Sequence, residues 1–174
     1  MAEPPDAPLS SVTPEEYRAV MRHWPSGVTV ITMRHGGGAH GMTASAFTSV
    51  SLNPPLIVII VDKRWRSHGY ILDAGIFCVN ILAEDQADVS DRFAGRQGDL
   101  PDRFAGLATR SARTGAPWLS DCLAWLDCVV QERFDAGDHT LFLGRVVAAG
   151  VNRPDVQPLV YYDTRYGSWS ALEP

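Results

Sequence analysis

Cysteine is scarce in this chain. Cys78, Cys122 and Cys128 are the only three in 174 residues, and no Cys-x-x-Cys occurs. An odd number at these spacings argues against a disulfide framework and against a cysteine zinc site, and fits reduced thiols. Positive charge is also in short supply: fifteen Lys and Arg face twenty Asp and Glu, for a net charge of −5. The broad basic surface needed for nucleic acid or an anionic membrane is therefore missing, although a local basic cluster can still hold a small anion. No apolar run approaches the ~18 residues of a membrane span, and MAEPPDAPLSS lacks both a basic region and an apolar h-region. The five histidines form no i, i+4 pair, so no metal is expected. There is no Gly-x-Ser-x-Gly elbow either, which leaves the chemistry to a bound cofactor. These absences predict a soluble, cytoplasmic protein.

What remains suits one domain, large enough to bury a core without covalent staples. Residues 1–12, rich in Pro and Ser, read as a flexible tail, and 13–170 as the folded unit. TPEEYRAVMRHW carries a helix start, with Thr13 as N-cap, Pro14 at the first helical position and Glu16 closing a capping box. GVTVITMRH reads as a β-branched strand, followed by a Gly-rich reversal at 36–38. LIVIIVD reads as a strand buried on both faces. IFCVNIL, LAWLDCVVQERF, HTLFLGRVVAAGV and PLVYYDTRYGSW add strands, with short helices near 67–74 and 84–94. Strands dominate, so the expected fold is mainly β, a closed or split β-barrel with a few short helices. Gly36, Gly38 and Gly41 do satisfy Gly-x-Gly-x-x-Gly. The residues after them have strand periodicity, however, and the helix a dinucleotide fingerprint requires is missing. DRFAG occurs twice, at 91–95 and 102–106, and reads as two helix ends closed by glycine.

Four stretches can carry chemistry. In GMTASAFTSVSLNPPL a period of two sets Met42, Ala44, Ala46, Thr48, Val50 and Leu52 on an apolar face, and Thr43, Ser45, Phe47, Ser49 and Ser51 on a face of short donors around one ring. That second face suits a ligand with a flat part and an anionic part; a half-exposed strand facing water is the alternative. DKRWRSH gathers Lys63, Arg64 and Arg66 around Trp65, as a phosphate loop would or as a solvated surface loop would, with Ser67 placed to cap the next helix. AGDHTLFLGRV puts His139 after a Gly137-Asp138 turn, either as a group beside a ligand or as a hydrogen-bonded turn residue. YYDTRYGSW offers Tyr162, Arg165, Tyr166 and Trp169 to a second ring system, or else is an ordinary edge strand. His35 and His40, flanking the glycines, read as solvent-facing.

Taken together, YRAVMRHWPSGVTVITMR, GMTASAFTSVSLNPPL, VDKRWRSH, FCVNILAEDQADVSDRFAG, AGDHTLFLGRV and PLVYYDTRYG resemble, in order and spacing, the flavin reductase-like family over roughly residues 14–169. The resemblance implies an FMN-binding split β-barrel, usually a homodimer, that reduces FMN or FAD with NADH or NADPH and feeds a reduced-flavin-using monooxygenase or halogenase. It implies that Thr43, Ala44, Ser45, Ala46, Phe47, Thr48, Ser49 and Ser51 hold the flavin, with small alanines letting the backbone approach. It assigns Lys63, Arg64, Ser67 and His68 to the ribityl and phosphate loop, where Trp65 is bulkier than the motif's usual small residue. Asn80 would face the flavin, Ser90 and Phe93 would close the pocket, and His139, Arg165 and Tyr166 would meet the nicotinamide. Two other classes stay open: a flavin-binding carrier or sensor without turnover, and a pyridoxine-phosphate-type oxidase of the same barrel superfamily.

Overall fold

The computed structural model describes residues 10–172. The tail assigned to 1–12 thus falls almost entirely outside the described residues, and residues 10–12 belong to no element. Helix α1 (Pro14–Met21) has the predicted capping box in full: the Glu16 amide donates to Thr13 Oγ1 and the Thr13 amide to Glu16 Oε2. None of its residues is buried. After the short β1 (Ser26–Gly27), β2 (Thr29–His35) and β3 (Gly38–Ala44) form an antiparallel hairpin. Gly36 and Gly37 take φ of 57° and 80° in its turn, where residues with a Cβ are strained. The glycines are therefore a reversal, and no helix follows them.

The hydroxyl-rich stretch is two strands. β3 ends at Ala44, Ser45 and Ala46 lie outside any strand, and β4 (Phe47–Leu52) begins anew. The break overturns the continuous two-face pattern: Ala44 is buried as expected, but Val50 is 53% and Leu52 91% exposed. β5 (Pro55–Asp62) follows. Ile57, Ile59 and Val61 enter the core while Leu56, Val58 and Ile60 are only half-buried, so the expectation of burial on both faces is corrected to one.

Helix α2 (Arg66–Ala74) ends on Gly75 at φ 62°, and β6 (Ile76–Ile81) and α3 (Ala87–Phe93) come next. Ser67 does not cap α2: the N-cap is Trp65, and no side chain serves it. β7 (Thr109–Ser111) and β8 (Pro117–Leu119) pair with each other, while β9 (Ala124–Ala136) and β10 (His139–Val151) form a long hairpin. β11 (Leu159–Tyr162) and β12 (Arg165–Ser168) close the chain and join β1 in a small sheet.

The main sheet runs β3-β2-β6-β9-β10-β5-β4. Its two edge strands, β3 and β4, are consecutive in sequence and joined by Ser45 and Ala46 alone. The sheet therefore curls until its edges meet at a seam that carries no ladder. Inside, Ile31, Met33, Ile59, Phe77, Val79 and Phe142 are completely buried. At Gly144 a Cβ would stand 2.6 Å from Phe77 Cζ, so the ring fixes glycine there. A second core, built on Val30, Leu82, Phe93, Trp118 and Leu159, lies between the sheet, α3 and the small sheets.

Candidate functional site

A cleft of about 1240 Å³ lies against the edge strand β3, at whose far end the seam begins; none of residues 44–52 lines it. One wall is β3 from Ala39 to Thr43; the second is the start of α2, with Arg64 to Ser67 and Tyr70; the third is the end of α3 and the loop after it, with Phe93 to Gly95 and Gly98 to Phe104. Of the residues assigned from sequence, Thr43, Arg64, Ser67 and Phe93 line this cleft. Gly41 faces Phe93 so closely that a Cβ would sit 2.7 Å from the ring. Phe93 in turn meets Phe104 edge to face at 5.0 Å.

The two DRFAG copies build the third wall together. The first ends α3, with Gly95 at φ 77°; the second is a turn closed by Gly106 at φ 76°, which corrects the expectation of a second helix end. They hold each other: Arg92 donates to the Ala105 carbonyl (2.9 Å) and Arg103 to the Phe93 carbonyl (3.0 Å).

The hydroxyl run splits by location. Thr43 donates to the Ser90 carbonyl at 2.6 Å, tying β3 to α3. Ser45, Ala46, Thr48 and Ser49 are exposed along the seam, with Phe47 and Ser51 half-buried. Ala46 uses its carbonyl to accept from the Ile60 amide at 3.0 Å, which pins the break to β5.

In the basic loop, Arg64 folds back on Asp62, with Nη2 2.6 Å from Oδ2 and the Arg64 amide 2.9 Å from Oδ1. These bonds hold the Asp62 carboxyl down at about 2. Lys63 donates to the Gly137 carbonyl (3.1 Å) and pairs with Asp135 (3.5 Å), so the loop is strapped to the β9–β10 hairpin. His68 also turns inward, its Nε2 2.9 Å from Thr140 Oγ1. Arg66 also reaches the cleft and, like Arg103 on the third wall, has no carboxylate partner among the described residues; it stands beside α2 amides that no side chain caps.

Four assignments are relocated. Asn80 is completely buried; its amide donates to the Val30 carbonyl (2.9 Å) and Thr32 Oγ1 (3.0 Å), and its oxygen accepts from the Leu119 amide (2.7 Å). It is a core cross-link between β2, β6 and β8, because a buried amide must satisfy both ends inside the protein. Ser90 is buried as well, 2.9 Å from the Tyr166 hydroxyl. Tyr166 lies 2.7 Å from Asp91 Oδ1 and receives Arg96 at 3.2 Å, so it locks β12 onto α3, while Arg165 stays exposed. His139 opens β10 opposite Asp62, outside the cleft lining, with Nδ1 2.6 Å from Asp138 Oδ1.

Sequence reasoning missed His40 and Tyr70. Both line the cleft, and neither His35 nor His40 is solvent-facing: each is half-buried against Tyr70, with ring centroids 4.5 and 4.4 Å away. Tyr70 lies one turn beyond Arg66 on α2, a helical spacing that was available in the sequence.

A curled sheet with an unpaired seam between consecutive strands is a split β-barrel. The chain belongs to the flavin reductase like domain family, whose model matches residues 21–170. It is 38% identical over 94% of its length to a flavin reductase of Pseudomonas putida, covering 94% of that protein. It is 36% identical over 94% of its length to the reductase subunit of a flavin-dependent monooxygenase from Rhodococcus jostii, covering 80% of it. A solved NADH:FAD oxidoreductase of Streptomyces globisporus, in complex with NAD and FAD fragments, superimposes with a TM-score of 0.83 at 31% identity, covering 93% of this chain and 98% of that one.

Proposed function

We propose that this protein reduces FMN or FAD with NADH or NADPH and supplies the reduced flavin to a partner monooxygenase or halogenase. The observation that carries the reading is the cleft against the edge strand β3, which combines rings, hydroxyls and an uncommitted cation in a member of this family. When bound, the flavin supplies a two-electron acceptor that takes hydride at N5 from nicotinamide C4.

The residues present fit such a group. Arg66, the Ser67 hydroxyl and the uncapped α2 amides suit a phosphate, because a helix start offers unpaired N–H groups and positive potential. Trp65 and Phe93 offer apolar surface to a ring. The exposed hydroxyls of Ser45 and Ser49 make no hydrogen bond within the described residues and are available to polar ring edges. Thr43 braces this wall through Ser90, and Lys63, Arg64 and His68 hold the loop that presents Ser67. His139 stands on the hairpin to which that loop is strapped, a position from which it orients the nicotinamide. Arg165 and Tyr166 act from the α3 wall, Tyr166 by fixing β12 against α3.

A homodimer completes the reading. Val50 and Leu52 on the edge strand β4 and Phe134 on β9 are exposed, beside the half-covered outer face of β5. An edge strand with exposed apolar residues is stabilised by a partner. The three free buried cysteines, whose thiols burial pushes up to about 12 or beyond, suit a reducing cytoplasm.

The test is oxidation of NADH and NADPH by the purified protein with FMN, FAD or no flavin, followed at 340 nm. Flavin-dependent oxidation is the expected result. Tight flavin binding with no oxidation under any combination would make the protein a carrier.

A further inference from the structure

The cleft has two aromatic ends, and the proposed reading uses only one. Away from the seam, His40 on β3 and Tyr70 on α2 form a small shelf in the lining. The shelf is braced from behind. His35, which does not line the cleft, stacks on Tyr70 with centroids 4.5 Å apart and planes at 21°. His35 Nδ1 is 3.6 Å from Asp73 Oδ2, and the His35 carbonyl accepts from His40 Nε2 at 3.2 Å. Since a carbonyl only accepts, this bond fixes Nε2 of His40 as the protonated nitrogen and its ring in one orientation. The two histidine rings and a carboxylate thus hold the Tyr70 ring, with His40 tilted 40° to it, in a fixed orientation where the barrel core meets the cleft edge.

The spacing identifies what the shelf holds. Arg66 and Ser67, at the uncapped start of α2, lie one helical turn from Tyr70, about 5.4 Å along the axis. A phosphate at the helix start therefore leaves one sugar's reach to the shelf. The cleft, at about 1240 Å³, also exceeds the roughly 300–1,000 Å³ of ordinary small-molecule pockets. We propose that His40 and Tyr70 form an adenine-stacking subsite, so that the cleft takes an adenine dinucleotide along its length. FAD and NAD(P)H share that chemistry. This inference rests on the proposed cleft as the nucleotide site but not on turnover.

Equilibrium binding of FAD, FMN, NADH and ADP to the wild type and to the His40→Ala, Tyr70→Leu and Tyr70→Phe variants tests it, with melting curves to show that each variant folds. ADP is expected to bind the wild type. His40→Ala and Tyr70→Leu should weaken ADP roughly ten-fold, the size of a lost base-stacking contact, while Tyr70→Phe keeps the ring and the affinity. If FAD weakens in parallel and FMN and NADH do not, the base belongs to FAD; if NADH alone weakens in parallel, it belongs to the nicotinamide dinucleotide. Unchanged ADP affinity in folded His40→Ala and Tyr70→Leu, or equal losses for FMN and FAD without a loss for ADP, would overturn the subsite. Failure of the reductase reading shows separately, as absent NADH or NADPH oxidation with ADP binding intact.

Discussion

Asn80 and Ser45 are both short polar side chains in the barrel wall, and the fold treats them in opposite ways. Around Asn80 both ends of the amide are paired: its nitrogen donates twice and its oxygen accepts once, and the Thr32 hydroxyl that accepts one of those bonds gives its single proton to the Pro117 carbonyl. Along the seam, the hydroxyls of Ser45 and Ser49 are exposed and unpaired within the described residues. A polar group sealed inside must find its partners within the chain, since leaving it unpaired costs about 1–3 kcal/mol. A polar group at an open seam needs no internal partner and stays available to a ligand. The difference separates residues that hold the barrel from residues that can bind.

Five experiments would break or sharpen this contrast. The largest effect is expected from Asn80→Ala, which leaves the Leu119 amide and the Val30 carbonyl without their partner. A loss of roughly 2–4 kcal/mol should appear in urea unfolding, with unchanged flavin affinity in the protein that remains folded. An affinity loss without a stability loss would return Asn80 to the ligand.

Gly41→Ala comes next. Its Cβ would push on Phe93, which belongs to the second core and to the cleft wall at once. It should cost about 1–3 kcal/mol by overpacking and should weaken flavin binding as well, a joint effect that Gly144→Ala in the closed core should not show. Urea midpoints beside flavin titrations separate the two glycines.

Ser45→Val should act in the reverse sense to Asn80→Ala. Flavin affinity is expected to fall by about 1–3 kcal/mol while the apoprotein melts as the wild type does. Unchanged affinity would mean that the seam hydroxyls face only water. His139→Ala should be milder: a several-fold rise in KM for NAD(P)H, or slower hydride transfer, of about 1 kcal/mol. Stopped-flow flavin bleaching at varied NADH reads the step, and flavin affinity and Tm should hold. A fall in Tm with wild-type kinetics would leave His139 a hairpin residue.

The smallest effect concerns Asp62. Hydrogen bonds from the Arg64 side chain and amide lower its carboxyl from 3.8 to about 2. A depressed carboxylate contributes stability that is present above its unfolded value and is lost as pH falls through its folded value. Loop 63–67 should therefore hold above pH 3.8 and loosen toward pH 2, with a change in the fluorescence of the exposed Trp65. Arg64→Gln should move that acid transition upward toward the ordinary carboxylate range, since only the amide bond to Asp62 remains.

Much of the fold was legible because its signals are local. The capping box of α1, the glycine reversal between β2 and β3, the β9–β10 turn and the strand content all follow from residues within a few positions of each other. The break at Ser45-Ala46 was not legible. Alternation continues through it, and what ends one strand and starts another is a change of partner: β3 pairs with β2 as far as Ala44, while Ala46 already bonds to Ile60 in register with the β4–β5 ladder. Asn80 reads from its neighbours as a polar residue in a strand. Its role was decided by Val30, Thr32 and Leu119, which the sheet order brings to it from 50, 48 and 39 residues away. The sequence by itself determined that this chain is a strand-rich barrel with a hydroxyl-rich segment and a basic loop, since propensity, turn chemistry and periodicity act over short range. Tertiary structure alone decided which of those polar groups are sealed and which stay open, and it brought His40, Tyr70 and Phe93 to one cleft. Burial and hydrogen-bond saturation depend on neighbours that are distant along the chain.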